Sequence, residues 1–388
     1  MATAYRTVCR SKTVIYTRTN WQEKAHMSNT GTRNSFPSPS PSVETARLEA
    51  ALHGDSQQFG ELTEPYRREL QVHCYRILGS LHEAEDMVQE TLLKAWKRLA
   101  MYEKRASFRA WLYKIATNTC LDSLDRRRSR RLLPLDAMPA SDPNTSILPP
   151  AAELTWLEPF PDEWLRDTNA LNPEARYTDS ESISLSFMTA LQLLPPRQRA
   201  VLILRDVLDF SAHETAEVLE ITISSANSAL HRARKTLSQN YQNRDPESSA
   251  QALTDERSQW LLDHFLQAWE TADVDGLVAL LRADAAFAMP PSPSWYQGRA
   301  AIRIFVASTV FADDGMFNGK ASGRWRLLPT WANASPAFAI YQRAETGEYQ
   351  AFGMLVLDVE ANGLTQIISF IDPSMPPRFG LPARISAS

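Results

Sequence analysis

Along the chain, apolar positions fall into three stretches, two of helical period and a third whose period changes, separated by polar and proline-rich joints. Over 44–133 they return every three or four positions, as on the buried face of a helix. Leu62, Tyr66 and Leu70 open one run, and Val72, Tyr75 and Leu78 continue it. Residues 83–100 carry Met87, Val88, Thr91, Leu92, Ala95, Trp96 and Leu99 on one face; residues 108–128 carry Phe108, Trp111, Leu112, Ile115, Ala116 and Leu121. Pro65 is expected in the second turn of a helix or just ahead of one, because its nitrogen has no hydrogen to donate. Residues 181–240 return to helical spacing over 183–194, 197–208, 213–219 and 224–237. From 255 a helix with Trp260, Leu261, His264, Phe265, Ala268 and Trp269 is followed by a second over 274–281. The period then shifts toward two at 286–289, 337–341, 352–358 and 365–370, which predicts strands. Helices first and strands later make this last unit α+β, behind two all-α units.

The joints set the expected boundaries. Residues 1–43 end in a Ser/Pro-rich stretch and read as a disordered extension. Residues 134–180 are rich in proline and acids, too long a stretch for the inside of a compact domain, and read as an extended linker. Within it, Trp156-Leu157-Glu158-Pro159-Phe160-Pro161 is a candidate docking point. The expected units are therefore 44–133, 181–245 and 255–375, with a tail over 376–388.

Composition narrows the classes. The 388 residues are 44% apolar and 22% charged, ordinary for globular protein with real cores. A net charge of -4 looks wrong for a nucleic-acid binder, but the charge is segregated. Arg126, Arg127, Arg128, Arg130 and Arg131 cluster, and no acid occurs between Glu220 and Asp245. Cys9, Cys74 and Cys120 are widely spaced, so neither a disulfide framework nor a metal site is expected, and a reducing cytoplasm fits. No run approaches the roughly 18 apolar residues of a membrane span. The first 26 residues are basic without an apolar core, so no secretory leader is expected; a transit peptide stays open, and an over-extended start with Met27 as the alternative beginning is the simpler reading.

The strongest local signal lies in 197–237. Two short helices joined by a tight turn, the second one basic, form a helix-turn-helix pattern. The first would span 211–219, with Ala216 small enough for close packing. The second would span 224–237, with Ala226, Ala229, Leu230 and Ala233 on its inner face. Ser225, Asn227, Ser228, His231, Arg232 and Lys235 lie around the polar side, supplying hydrogen bonds for base edges and cations for phosphates. A solvated basic helix in an ordinary bundle is the competing reading.

Here a resemblance enters. The stretch 190–207, with Leu194-Pro195-Pro196-Arg197-Gln198-Arg199, and the helix-turn-helix ending Ser228-Ala229-Leu230-His231-Arg232-Ala233-Arg234 resemble region 4 of the sigma-70 family. Residues 83–96 resemble its region 2 core-binding helix, and 108–118 its promoter-melting helix. With no domain between them, the pattern is similar to the extracytoplasmic-function group. The resemblance implies a transcription initiation factor whose partners are core RNA polymerase and promoter DNA. Asp86, Gln89, Glu90 and Trp96 would dock on polymerase. Arg109, Trp111, Lys114 and Asn118 would meet the melted minus-10 element, with Arg126 and Arg127 following the backbone. Ser225, Asn227, Ser228, His231, Arg232 and Lys235 would read the minus-35 element. For Trp96 and Trp111 taken singly, core packing is the competing reading; for the arginine run, a solvated surface. The acidic linker would thread a polymerase channel built for nucleic acid or serve as a plain tether.

Residues 255–375 resemble the SnoaL-like group, which shares the cone-shaped α+β fold of ketosteroid isomerases. The resemblance rests on the opening helix, Met289-Pro290-Pro291, the stretch 295–302 and the late strands. Trp269, Phe287, Met289, Trp295 and Phe305 are candidates for a pocket wall, with plain core the competing reading. His264, Asp273, Asp284 and Asp372 are the candidate acids and bases, and none sits in a motif that specifies a reaction. A regulatory role is therefore expected rather than catalysis, with no cofactor and no metal; a small-molecule ligand of this unit is left open. A plain helix-turn-helix regulator, or an isomerase or hydrolase with a regulatory front half, are the alternatives.

Overall fold

The computed structural model describes residues 41–103, 107–126, 131–150, 154–166, 182–241, 256–317, 319–360 and 362–386. The expected disordered extension lies outside them as far as residue 40, as does Cys9; residues 41–43 belong to the first turn of a helix.

Four helices build the front unit: α1 (Pro41–Leu52), α2 (Ser56–Leu78), α3 (Leu81–Arg98) and α4 (Phe108–Arg126). Asp55 caps α2 by accepting from Gln57 N and Gln58 N. The expected apolar faces are the ones packed inward: Val88, Thr91, Leu92, Ala95 and Leu99 on α3, and Leu112, Ile115, Ala116 and Leu121 on α4, are all buried. Pro65 departs from expectation, sitting well inside α2. The helix tolerates it because Arg47 of α1 donates to the Glu61 carbonyl (3.4 Å), the acceptor that proline leaves unused, and pairs with the Glu61 carboxylate at 3.3 Å. In the core, Thr117 donates its hydroxyl to the Tyr113 carbonyl (2.7 Å), so His73 Nε2 must donate to Thr117 (2.8 Å). Burial pushes His73 down to about 3, so its imidazole is neutral.

The linker is not a free tether where it is described. Arg131–Leu132 (β1) and Thr155–Trp156 (β2) pair as a short parallel ribbon. Trp156, Leu157 and Phe160 are buried, and Phe160 stacks on Tyr75 of α2 with ring centroids 4.6 Å apart. Six residues rich in large apolar side chains and proline seat this segment, whatever its net charge.

The second helical unit comprises α5 (Leu185–Leu193), α6 (Pro196–Leu202) continued by a wider turn over Ile203–Val207, α7 (Ala212–Leu219) and α8 (Ile223–Tyr241). A capping box starts α7, with Ser211 and Glu214 each accepting from the other's backbone. The residues expected on the inner face of α8, Ala226, Ala229, Leu230 and Ala233, are buried.

The third unit sets α9 (Glu256–Thr271), α10 (Val274–Leu280) and α11 (Arg299–Phe305) against a curved sheet. Its strands are β3 (Leu281–Ala288), β4 (Trp295–Gln297), β5 (Trp325–Ala332), β6 (Ser335–Arg343), β7 (Tyr349–Glu360) and β8 (Gly363–Phe370), in the order β4-β3-β8-β7-β6-β5. Only the β3–β8 pairing is parallel along this path. Gly353 lets β7 cross β8 closely, since a Cβ there would stand 2.1 Å from the Phe370 carbonyl oxygen. Both sheet faces are buried: Phe338, Ile340, Leu355 and Leu357 face the helices, whereas Ala337, Ala339, Tyr341 and Val356 join the core of the two helical units. That explains the unbroken apolar run of β7. The architecture is the expected one: two helical units and a C-terminal α+β cone. The tail extends it, because Met375, Phe379 and Leu381 are buried and Arg384–Ile385 (β9) pairs with Tyr349–Gln350.

Candidate nucleic-acid interface

Helix α8 presents its polar side outward. Ser224, Ser225, Asn227, Ser228, His231, Arg232 and Lys235 are exposed, opposite the buried alanines. Ile223, Ser224, Asn227, Ser228, His231 and Arg232 line an open groove of about 650 Å³. Thr222 caps the helix by accepting from Ser225 N (3.1 Å) and gives its hydroxyl to Ser225 Oγ (2.8 Å), so Ser225 is partly engaged. Arg234 turns away and forms a two-pronged pair with Asp206 (2.7 and 2.8 Å). The same sequence run thus divides into an exposed arginine tied up in an ion pair and the outward Arg232 and Lys235.

The residues expected to meet the minus-10 element sit differently. Arg109 pairs with Glu69 (2.8 Å) and lies over the Tyr113 ring. Trp111 is half-buried between Tyr102 and Phe108, with centroids 5.2 and 5.7 Å away. Lys114 pairs with Glu220 of the second unit at 3.2 Å, and Asn118 donates to the Val218 carbonyl at 3.1 Å. Tyr113 also packs on Phe210 (5.6 Å). Helix α7 therefore covers the polar side of α4. Arg126 is exposed at the end of α4, and Arg127 lies outside the described residues. Arg131 departs from both readings of its run, backbone-following or solvated: it is largely buried, donates to the Trp156 carbonyl (3.1 Å), and pairs with Glu83 and with Glu158 (3.7 Å). Strand pairing with 155–156 turns its side chain inward.

On α3, His82, Asp86, Gln89 and Leu93 are exposed and spaced to lie along one stripe. Asp86 and Gln89 were expected there. Glu90 is half-buried beside Lys94 (3.5 Å), and Trp96 packs on Phe59 (5.1 Å), so both flank the stripe. Leu93, 47% exposed, was missed; the signal was an apolar residue one turn beyond Gln89 on the polar face. Glu158 caps the start of α3, accepting from Ser80 Oγ (2.9 Å), Leu81 N (2.8 Å) and His82 N (3.2 Å).

Asn333, at the β5–β6 turn, joins all the units. Its Oδ1 accepts from Phe160 N (2.7 Å), and its Nδ2 donates to Tyr75 Oη (2.8 Å) and the Ile183 carbonyl. The residue is fully buried with φ 54. Gly79, φ 70, permits the same junction: a Cβ there would meet Leu157 and Gln192 at 3.0–3.1 Å.

Inside the cone, Trp269, Phe287, Met289 and Phe305 belong to one packed core. Ring centroids lie 6.2 Å apart for Trp269–Phe287 and 5.4 Å for Phe287–Phe305. Trp295 corrects the expected pocket wall. Strand alternation places Tyr296 inward, 4.3 Å from Phe305, and Trp295 on the opposite face, where it donates to the Met138 carbonyl (2.8 Å). His264 is exposed and stacked on Trp260, Asp273 caps α10, Asp284 pairs with Arg282, and Asp372 caps the turn to Ser374. Glu270 is raised by burial, against the pull of Leu327 N and Arg326, and ties α9 to β5. No metal-holding group of three or more acidic, His or Cys side chains occurs among the described residues.

Two family models match, Sigma-70 region 2 over 62–130 and Sigma-70, region 4 over 184–237. The ECF RNA polymerase sigma factor SigG of Mycobacterium tuberculosis is 42% identical over 328 residues, 84% of either chain. This chain belongs to the ECF RNA polymerase sigma factors. The sigma factor SigW of Bacillus subtilis is 27% identical over 49% of this chain and 92% of its own. Among solved structures, the sigma factor SigJ of M. tuberculosis aligns over 82% of this chain and 97% of its own, at 20% identity and a TM-score of 0.48. The Δ5-3-ketosteroid isomerase of a Mycobacterium species aligns over 33% of this chain and 95% of its own, at 14% identity and a TM-score of 0.22. Within this sigma factor, no helix among the described residues is long and apolar enough to cross a membrane.

Proposed function

We propose that this sigma factor docks on core RNA polymerase through the α3 stripe Asp86–Gln89–Leu93, flanked by Glu90 and Trp96. It reads the minus-35 element with Ser225, Asn227, Ser228, His231, Arg232 and Lys235 of α8. Arg109, Trp111, Lys114, Asn118, Arg126 and Arg127 meet the minus-10 strand once α7 has left α4. The observation that carries this reading is the outward polar face of α8: bases require exposed donors and acceptors, phosphates require cations, and no carboxylate of that helix opposes them. The site of action is the cytoplasm, where polymerase and promoter meet.

The C-terminal unit acts by contact rather than by catalysis. Asn333 and the outer sheet face hold α2, the linker and the start of α5 together. The candidate acids and bases are exposed or spent on caps and pairs, and the helix-facing side of the sheet is packed ring on ring. A ligand-sensing variant of this reading rests on Trp269, whose buried indole N–H has no acceptor among the described residues. A ligand there would present a hydrogen-bond acceptor within an aromatic wall.

The test is capture of purified bacterial core polymerase, followed by run-off transcription from fragmented genomic DNA. Stable capture with new transcript starts is expected. Failure of the full chain to bind polymerase, together with failure of residues 44–245, would leave a plain DNA-binding regulator. Removal of 250–388 is expected to change the transcript yield while the start sites remain.

A further inference from the structure

The tail beyond β8 belongs to none of the proposed interfaces, yet it is built. Asp372 accepts from Ser374 N (2.8 Å), Met375–Arg378 forms one helical turn, and Tyr341 Oη donates to the Pro382 carbonyl (2.8 Å). With Met375, Phe379 and Leu381 buried and β9 paired on β7, the backbone at Arg378 is fixed from both sides.

That fixed point meets the head of the α3 stripe. Arg378 Nη2 lies 3.0 Å from His82 Nδ1, and the other imidazole nitrogen lies 3.9 Å from the Asp86 carboxylate. Arg378, His82, Asp86, Gln89 and Leu93 thus form one continuous surface. A guanidinium carries five N–H donors in a rigid fork. Here its hydrogen bond goes to an imidazole nitrogen, and among the described residues no carboxylate stands within ion-pair distance of it. A cation held in place by a packed segment, with its fork unfilled, suits a carboxylate on another molecule.

We propose that Arg378 forms the rim of the polymerase-docking surface, so that the C-terminal unit itself touches core RNA polymerase, opposite an acidic group on it. This rests on the assignment of the α3 stripe to docking. Arginine at an interface edge acts mainly on encounter rate and salt dependence, and it leaves a mark that a purely structural role does not.

The experiment measures association of the full-length chain with core polymerase at low and high salt. Arg378→Glu is expected to slow association about tenfold at low salt, with the difference shrinking at high salt. Arg378→Gln should fall between, and Arg378→Lys should stay near the parent because the charge remains. Hydrogen exchange over 372–385 checks that the tail stays docked in each variant. Asp86→Ala with Gln89→Ala serves as the reference for the stripe. A normal rate for Arg378→Glu beside a weakened reference pair overturns the rim assignment alone. Faster or tighter binding of Arg378→Glu overturns it in favour of a tail that competes with polymerase. A normal rate for all of them removes the stripe, and the rim with it.

Discussion

The two helices assigned to DNA, α4 and α8, carry similar chemistry and meet opposite fates. Helix α8 buries its alanines and leaves Asn227, Ser228, His231, Arg232 and Lys235 open beside a groove. Helix α4 spends Arg109 on Glu69, Lys114 on Glu220 and Asn118 on the Val218 carbonyl. The covering element is α7, the first half of the same helix-turn-helix whose second half is open. A polar face is thus available or occupied according to what packs on it: α7 takes up Lys114 and Asn118 on the side of α4 proposed for the minus-10 element, while the face of α8 proposed for the minus-35 element is open.

The contrast can be broken hardest at Arg199. This buried residue donates to the Ile77 carbonyl of α2 and, within its own unit, to Gln192 and Leu194. Arg199→Ala should cost about 3–5 kcal/mol in denaturant unfolding, because it strips several buried acceptors at once. A loss below about 1 kcal/mol would place the second unit elsewhere. Next comes Asn333→Ala, which leaves Phe160 N, Tyr75 and the Ile183 carbonyl without their partner; about 2–3 kcal/mol is expected. Hydrogen exchange should then quicken at 155–161 before it does at 108–121. For α8, Arg232→Ala and Lys235→Ala should each lower the salt slope of duplex binding by about 1, uniformly across sequences. Arg131→Ala, by contrast, should leave that slope alone and reduce stability, since its partners are Glu83 and Glu158. The smallest effect belongs to Lys114→Ala: the ion pair is exposed, and at most about 0.5 kcal/mol is expected.

Local features of this chain were legible in its sequence. The inner faces of α3, α4 and α8 followed from periodicity, because burial repeats with the helix. Asp86 and Gln89 were picked out by the resemblance of 83–96 to a core-binding helix, and both are exposed. What escaped depends on partners distant in sequence. Arg131 and Arg126 belong to one basic run, yet only strand pairing with 155–156 shows that Arg131 turns inward. Trp295 and Tyr296 are adjacent aromatics, and only strand register decides which one faces the cone. Pro65 looked like a helix boundary until Arg47 supplied the donor that its nitrogen lacks. Asn333 carried one faint signal, a small polar residue between alanines at a tight turn, and nothing local indicates the three segments it joins.

The most direct test compares thiol labelling of two cysteine substitutions, Asn118→Cys and Ser228→Cys, in the full-length chain with Cys9 replaced by serine; Cys74 and Cys120 are buried. Ser228→Cys should react at the rate of an open thiol. Asn118→Cys should react far more slowly in the free protein and approach the open rate once core polymerase is bound. Equal and rapid labelling of both in the free protein would contradict the covering of α4 by α7 and with it the difference between the two helices.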